Sequence, residues 1–204
     1  MAADWMIEAV RYYRGLDFFS QYSDLSDEAL AERLVTVIED EWGQTFTADP
    51  GGPRVVDEWG ETISSPDSVP FADLSLLRAD STRVWWEDTE ADVCKRNQVY
   101  VETLRAWADI SRGAFSPQNI IEAWEDEAGP VSVTFMLDGV ERRLQPEYLD
   151  DYIDMGIVVP INGWIRKTGY AIELYEAFDQ TAFVVVLTPD EKRKLEQERG
   201  WRFV

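Results

Sequence analysis

Val131-Ser132-Val133-Thr134-Phe135-Met136-Leu137-Asp138-Gly139-Val140-Glu141-Arg142-Arg143-Leu144 is the stretch that decides the fold class. Val131, Val133, Phe135 and Leu137 alternate with Ser132 and Thr134. That period of two sends the apolar side chains to one face of a strand. Asp138-Gly139 follows as a pair that tolerates positive φ, which a two-residue hairpin turn requires. Val140 to Gln145 is then the return strand.

Working outward toward the C-terminus, Pro146 opens a short helix carrying Tyr148, Leu149, Tyr152 and Ile153, and a second helix covers Pro160 to Lys167 and stops near Gly169. Tyr170 to Glu176 and Thr181 to Leu187 form a second hairpin around Phe178-Asp179-Gln180. Thr188, Pro189, Asp190 and Glu191 supply a cap, a first-turn proline and N-terminal acids for a last helix through Arg199, closed by Gly200. The order ββααββα lacks βαβ alternation. It predicts an α+β fold with an antiparallel sheet covered by helices on one face.

Toward the N-terminus, Ser116-Pro117 predicts a helix running to Gly129-Pro130, and Asp88 or Thr89 caps another reaching Arg112 with Val93, Tyr100, Leu104, Trp107 and Ala108 buried. Val84-Trp85-Trp86 reads as a short strand or anchoring turn. Residues 44 to 83 carry Pro50, Gly51, Gly52, Pro53, Gly60, Pro66 and Pro70, which break every long periodicity. That segment reads as either a long functional loop with short strands or an irregular wrap over the core. Ser26 caps an amphipathic helix to Trp42 with Leu30, Leu34, Val37 and Ile38 on one stripe, and a weaker helix covers Asp4 to Tyr13. Phe18, Phe19 and Tyr22 fasten the linker between them. We expect one domain over 1–204: a helical part at 1–43, an irregular part at 44–86, and helices plus sheet at 87–204.

Composition narrows the function classes. The 204 residues hold 40 Asp and Glu against 19 Lys and Arg, with no His, for a net charge of −21. Nucleic-acid binders neutralise phosphates with Lys and Arg, so direct nucleic-acid binding is excluded, as is attraction to an anionic membrane. At 45% hydrophobic and 13% aromatic the chain has material for a core. The longest apolar run, Ala182 to Leu187, is far too short to span a bilayer, and Met1 to Glu8 has no signal-peptide pattern. Cys94 is the single cysteine, so no intrachain disulfide forms; a cytoplasmic protein is the expectation.

Catalytic chemistry finds little support. Without His, Ser-His-Asp and Cys-His mechanisms are excluded, and no cofactor is implied. A calcium loop counted from Asp88 places Val93 where Gly is needed and Val99 where Glu is needed. Pro50-Gly51-Gly52-Pro53 lacks the Lys-Ser/Thr of a phosphate loop. A carboxylate pair for hydrolysis is unspecific among so many acids. The chain reads as a non-enzyme, with a carboxylate-based hydrolase as an alternative.

The charge is uneven along the chain. Residues 1–129 carry 27 acids and 10 bases, net −17, and residues 130–204 carry 13 and 9, net −4. Acids at predicted helix starts, such as Asp27, Glu28, Asp190 and Glu191, are explained by the helix dipole. Glu39-Asp40-Glu41 and Glu125-Asp126-Glu127 fall at predicted helix ends, where that rule prefers bases, and each adjoins a Trp, Trp42 or Trp124. Residues that break a local rule are candidate binding sites; the alternative is solvated helix ends with inward tryptophans. Trp59 in the irregular segment and Trp85-Trp86 beside acids are either core or anchors of a binding face. The candidate partner-binding residues are Glu39, Asp40, Glu41, Trp42, Asp57, Glu58, Trp59, Glu125, Asp126 and Glu127.

In size, acidity and absence of catalytic motifs the chain resembles the immunity proteins of bacterial toxin systems. The resemblance is one of overall character and implies no residue roles. It implies a protein that neutralises a basic toxin domain, often a nuclease, by covering its active site or holding it inactive. A DNA-mimic inhibitor of a nucleic-acid-binding protein and a scaffold with an apolar oligomer interface are further classes.

Overall fold

A computed structural model describes residues 2–43, 45–49, 52–56, 69–175 and 180–204. The fold is α+β, with helices and small antiparallel sheets. The chain groups into two compact units, Met1–Thr82 with Arg193–Trp201, and Arg83–Lys192 with Arg202–Val204.

The first unit holds α1 (Asp4–Arg14), α2 (Asp27–Trp42), the antiparallel pair β1 (Thr45–Asp49) and β2 (Gly52–Val56), and α3 (Val69–Leu77). Met6, Ala9, Val10 and Tyr13 of α1 are buried, as are Leu30, Ala31, Leu34 and Ile38 of α2, at the spacing that puts them on one helix face. The Ser26 hydroxyl accepts from the Ala29 amide and caps α2. Arg11 and Arg14, at the negative end of α1, pair with Asp27 at the positive end of α2. Phe18 and Phe19 are buried, as the linker reading anticipates. Phe19 sits at φ 60, held by its amide donating to the buried Asp80, which also accepts from the Thr82 amide and hydroxyl.

Within the segment expected to be irregular, α3 is a helix. Its chain is almost wholly apolar, and Pro70, which reads as a breaker, sits in its first turn where the missing N–H costs nothing. Asp73 is its one charged residue. That carboxylate is fully buried, accepts from the Tyr13 hydroxyl at 2.6 Å, and takes two bonds from Arg199; Trp201 Nε1 donates to the same Tyr13 oxygen at 3.0 Å.

The second unit holds two three-stranded antiparallel sheets. One is ordered β4-β5-β6, from Gln118–Trp124, Val131–Leu137 and Val140–Leu144; the other is β3-β8-β7, from Val84–Asp88, Thr181–Leu187 and Ala171–Leu174. The α4 helix (Val99–Asp109) and α5 (Val158–Ile165) complete it. The last helix, α6 (Pro189–Arg199), begins in this unit and from Arg193 counts with the first. Strand β5 buries Val131, Val133, Phe135 and Leu137 in strict alternation, and Asp138 and Gly139 adopt φ 52 and 74, both positive as the turn demands. The core gathers these residues with Trp107, Tyr100, Phe115, Ile161 and Val184. Thr188 and Glu191 cap α6 reciprocally, each side chain accepting from the other's amide.

Three expected helices change. The one expected over residues 116–129 is strand β4, because its backbone finds a ladder partner in β5, with Trp124 opposite Val131. The one expected from 88 to 112 is only α4; residues 89–98 form a loop that bridges to Tyr152 instead. Residues 146–153 form no helix, and a short 3-10 turn follows at Met155–Ile157.

Candidate partner-binding surface

Strand β4 places the Glu125-Asp126-Glu127 triplet. These residues lie in the β4–β5 connection and not at a helix end, so the helix-dipole argument for singling them out does not apply. Their exposure is a separate fact. All three face solvent, and none makes an ion pair among the described residues. The turn is shaped locally by Asp126, which accepts from the Ala128 amide, and by Glu125, whose amide donates to the Pro130 carbonyl.

Trp124, next to the triplet, is half-buried and packs edge-on against Tyr148 with ring centroids 5.9 Å apart. Its Nε1 donates to Glu122 at 2.8 Å. The other Glu122 oxygen accepts from the Tyr100 and Val101 amides, so a β4 carboxylate caps the start of α4, where Gln98 offers no side-chain cap. Burial raises the Glu122 carboxyl above its ordinary value, and those three bonds offset this only in part. Tyr100, beneath it, is pushed up to about 12, chiefly by burial.

Tyr148 opens the segment that continues this surface. Desolvation, and then the negative charges of Asp150 and Asp151, raise its hydroxyl pKa above the ordinary value. Glu147, Asp150 and Asp151 are exposed. Leu149 and Tyr152, in the same segment, line an apolar pocket of about 550 Å3 together with Ile153, Met155, Leu174 and Ala182. A smaller pocket of about 290 Å3, which shares Ile153 in its lining, has Trp85 as a wall and Glu87, Asp88 and Glu102 around it. No three His, Cys, Asp or Glu among the described residues converge to hold a metal ion.

The remaining candidates separate. Glu39 and Asp40 are exposed on the last turns of α2, in the first unit. Glu41 and Trp42 end the same helix. Asp57, Glu58 and Trp59 lie outside the described residues. Trp85 is core, edge-on to Trp107 at 5.9 Å, and Trp86 is half-buried against Phe183. The charge gradient along the chain is not a gradient between units. With Arg193, Lys194 and Arg199 counted in it, the first unit has 19 acids and 8 bases, and the second has 21 and 11.

Tyr148, Asp150 and Asp151 are not among the candidates named from the sequence, where their segment reads as a helix. The signal was present in Glu147-Tyr148-Leu149-Asp150-Asp151-Tyr152, which mixes acids and aromatics as the Trp124 stretch does. No helix among the described residues is long and apolar enough to cross a membrane. Comparison with protein-family models, curated proteins and solved structures finds no match to this chain.

Proposed function

We propose that the chain is an acidic binding protein for a basic protein partner, with Glu125, Asp126, Glu127, Asp150 and Asp151 around the Trp124–Tyr148 pair as its recognition surface. The observation that carries this reading is the triplet itself: three exposed carboxylates without ion pairs among the described residues, beside a half-buried indole. Unpaired surface acids steer a cationic partner and fix its orientation, and aromatic rings at such a patch both bury area and accept cations on their faces. The partner class favoured by this charge, and by the resemblance to immunity proteins, is a basic toxin domain, nucleases included. Glu39 and Asp40 offer a second acidic contact on the first unit.

The test is capture of the partner from the native host with the full chain, followed by association kinetics against salt. The captured protein should present a basic surface and associate more slowly as ionic strength rises. Reversing Glu125, Asp126 and Glu127 to Lys should slow association about tenfold or more while leaving folding intact. Retrieval of only neutral or acidic proteins, or association indifferent to salt, would overturn the proposal.

A further inference from the structure

The apolar pocket beside the acidic surface has a chemistry of its own. Its volume of about 550 Å3 lies in the range of sites that seat a small ligand or a partner's anchor residue. Leu149 and Val204, which border it, are 40% and 78% exposed, so apolar surface there faces water. Its polar neighbours are already engaged. The Gln180 amide donates to Glu90 at 2.7 Å and to the Tyr152 hydroxyl at 2.6 Å, and the Thr89 hydroxyl and amide both donate to the Gln180 carbonyl. Thr89 and Tyr152 of the lining are thus tied to each other through Gln180.

Charge selects what enters. Among the described residues no Lys or Arg lines the pocket, and the exposed carboxylates of Glu90, Asp150 and Asp151 adjoin its lining residues Thr89, Leu149 and Tyr152 in sequence. An anionic ligand is repelled from that neighbourhood. A neutral apolar ligand gains nothing from it.

We infer that the pocket seats an apolar side chain, aliphatic or aromatic, presented between Lys or Arg residues of the partner protein. The inference rests on the reading that the partner is basic, and it divides the work. The acids steer and orient, and the pocket supplies the desolvated anchor from which most of the affinity comes.

The chain carries its own reporter. Of its four methionines, Met155 lines the pocket, Met6 is buried in α1 and Met136 lies on β5. The full chain, labelled with 13C at the methionine methyls, is titrated with three synthetic peptides of equal length. One has a Leu-Trp centre between Lys and Arg flanks, one has Ser-Ser between the same flanks, and one has Leu-Trp between Asp and Glu flanks. The first should shift the Met155 methyl and leave Met6 in place. The other two should bind at least tenfold more weakly. Leu149→Ser, at an exposed position, should weaken the first peptide about tenfold and leave the second unchanged. If both cationic peptides bind equally with Met155 unmoved, or Leu149→Ser has no effect, the pocket inference fails while the basic-partner reading stands. If the anionic apolar peptide binds as well as the cationic one, the pocket is apolar without charge selection and the basic-partner reading loses its support here. No Met155 shift with any peptide overturns the inference.

Discussion

Asp73→Asn is the substitution whose consequence the structure fixes most sharply. The native carboxylate is completely buried and serves three donors at once: the Tyr13 hydroxyl and two nitrogens of Arg199. Arg199 lies across Tyr12 and Tyr13, with its guanidinium carbon 5.3 and 5.8 Å from their centroids. Burial pushes the Asp73 carboxyl above its ordinary value, with Arg199 and Tyr13 acting in the opposite sense. Asparagine keeps the size and one acceptor but removes the charge, so Arg199 is left as a largely buried cation without its counter-ion. Breaking one side of a buried pair costs about 3–5 kcal/mol, and the retained amide oxygen argues for the lower end, about 3 kcal/mol. For a unit of this size that corresponds to a fall of about 12–24 °C in the unfolding midpoint. Thermal unfolding followed by far-ultraviolet circular dichroism and calorimetry, supported by urea titration, reads it directly. Adding Arg199→Met removes the stranded cation, so the double variant should recover at least about 1 kcal/mol relative to Asp73→Asn. A single variant within about 1 kcal/mol of wild type, or strictly additive losses in the double variant, would show that Asp73 and Arg199 are not a coupled buried pair.

Three other outcomes are expected. Burial works to raise the Glu191 carboxyl, but the bonds from the Thr188 amide, Arg112 and the Thr188 hydroxyl outweigh it, so its folded pKa lies below the ordinary 4.5. The stabilisation is therefore fully present above that value and is lost as pH falls through the folded pKa; acid titration of Glu191→Gln should show a flatter acid limb. Glu122→Ala strips the start of α4 of its acceptor and leaves Trp124 Nε1 unbonded, which should cost about 1–2 kcal/mol in urea unfolding and expose the α4 amides to faster hydrogen exchange. Gly139→Ala meets nothing within 4 Å at its new methyl, so its cost comes from the positive φ alone, about 1–2 kcal/mol by the same measurement.

The elements that were legible in the sequence carry their signals locally. Strand β5 and its turn, the cap and stripe of α2, and the cap of α6 each bring their own periodicity or start signal within a few residues. Strand β4 brings none. Ile121 is 60% exposed and Glu122 is half-buried, an arrangement with neither helical nor strand alternation of polarity, and the Ser116-Pro117 pair imitates a helix start. What makes it a strand is the free edge of β5, a partner that no window over residues 116–124 contains. Likewise nothing in the stretch around Asp73, which reads as irregular, marks its carboxylate for burial; its partners Tyr13 and Arg199 lie 60 and 126 positions away.

Sequence alone settled the charge, the absence of histidine chemistry, the α+β class and most of the elements, because composition is a sum over residues and periodicity is a property of neighbours. The tertiary structure decided which acids keep company with which aromatics. Trp124 meets Tyr148 across 24 residues, and Thr89 lines one pocket with Val204 across 115. Those proximities arise from ladder pairing and burial summed over the whole unit, and neither is encoded within any single stretch of chain.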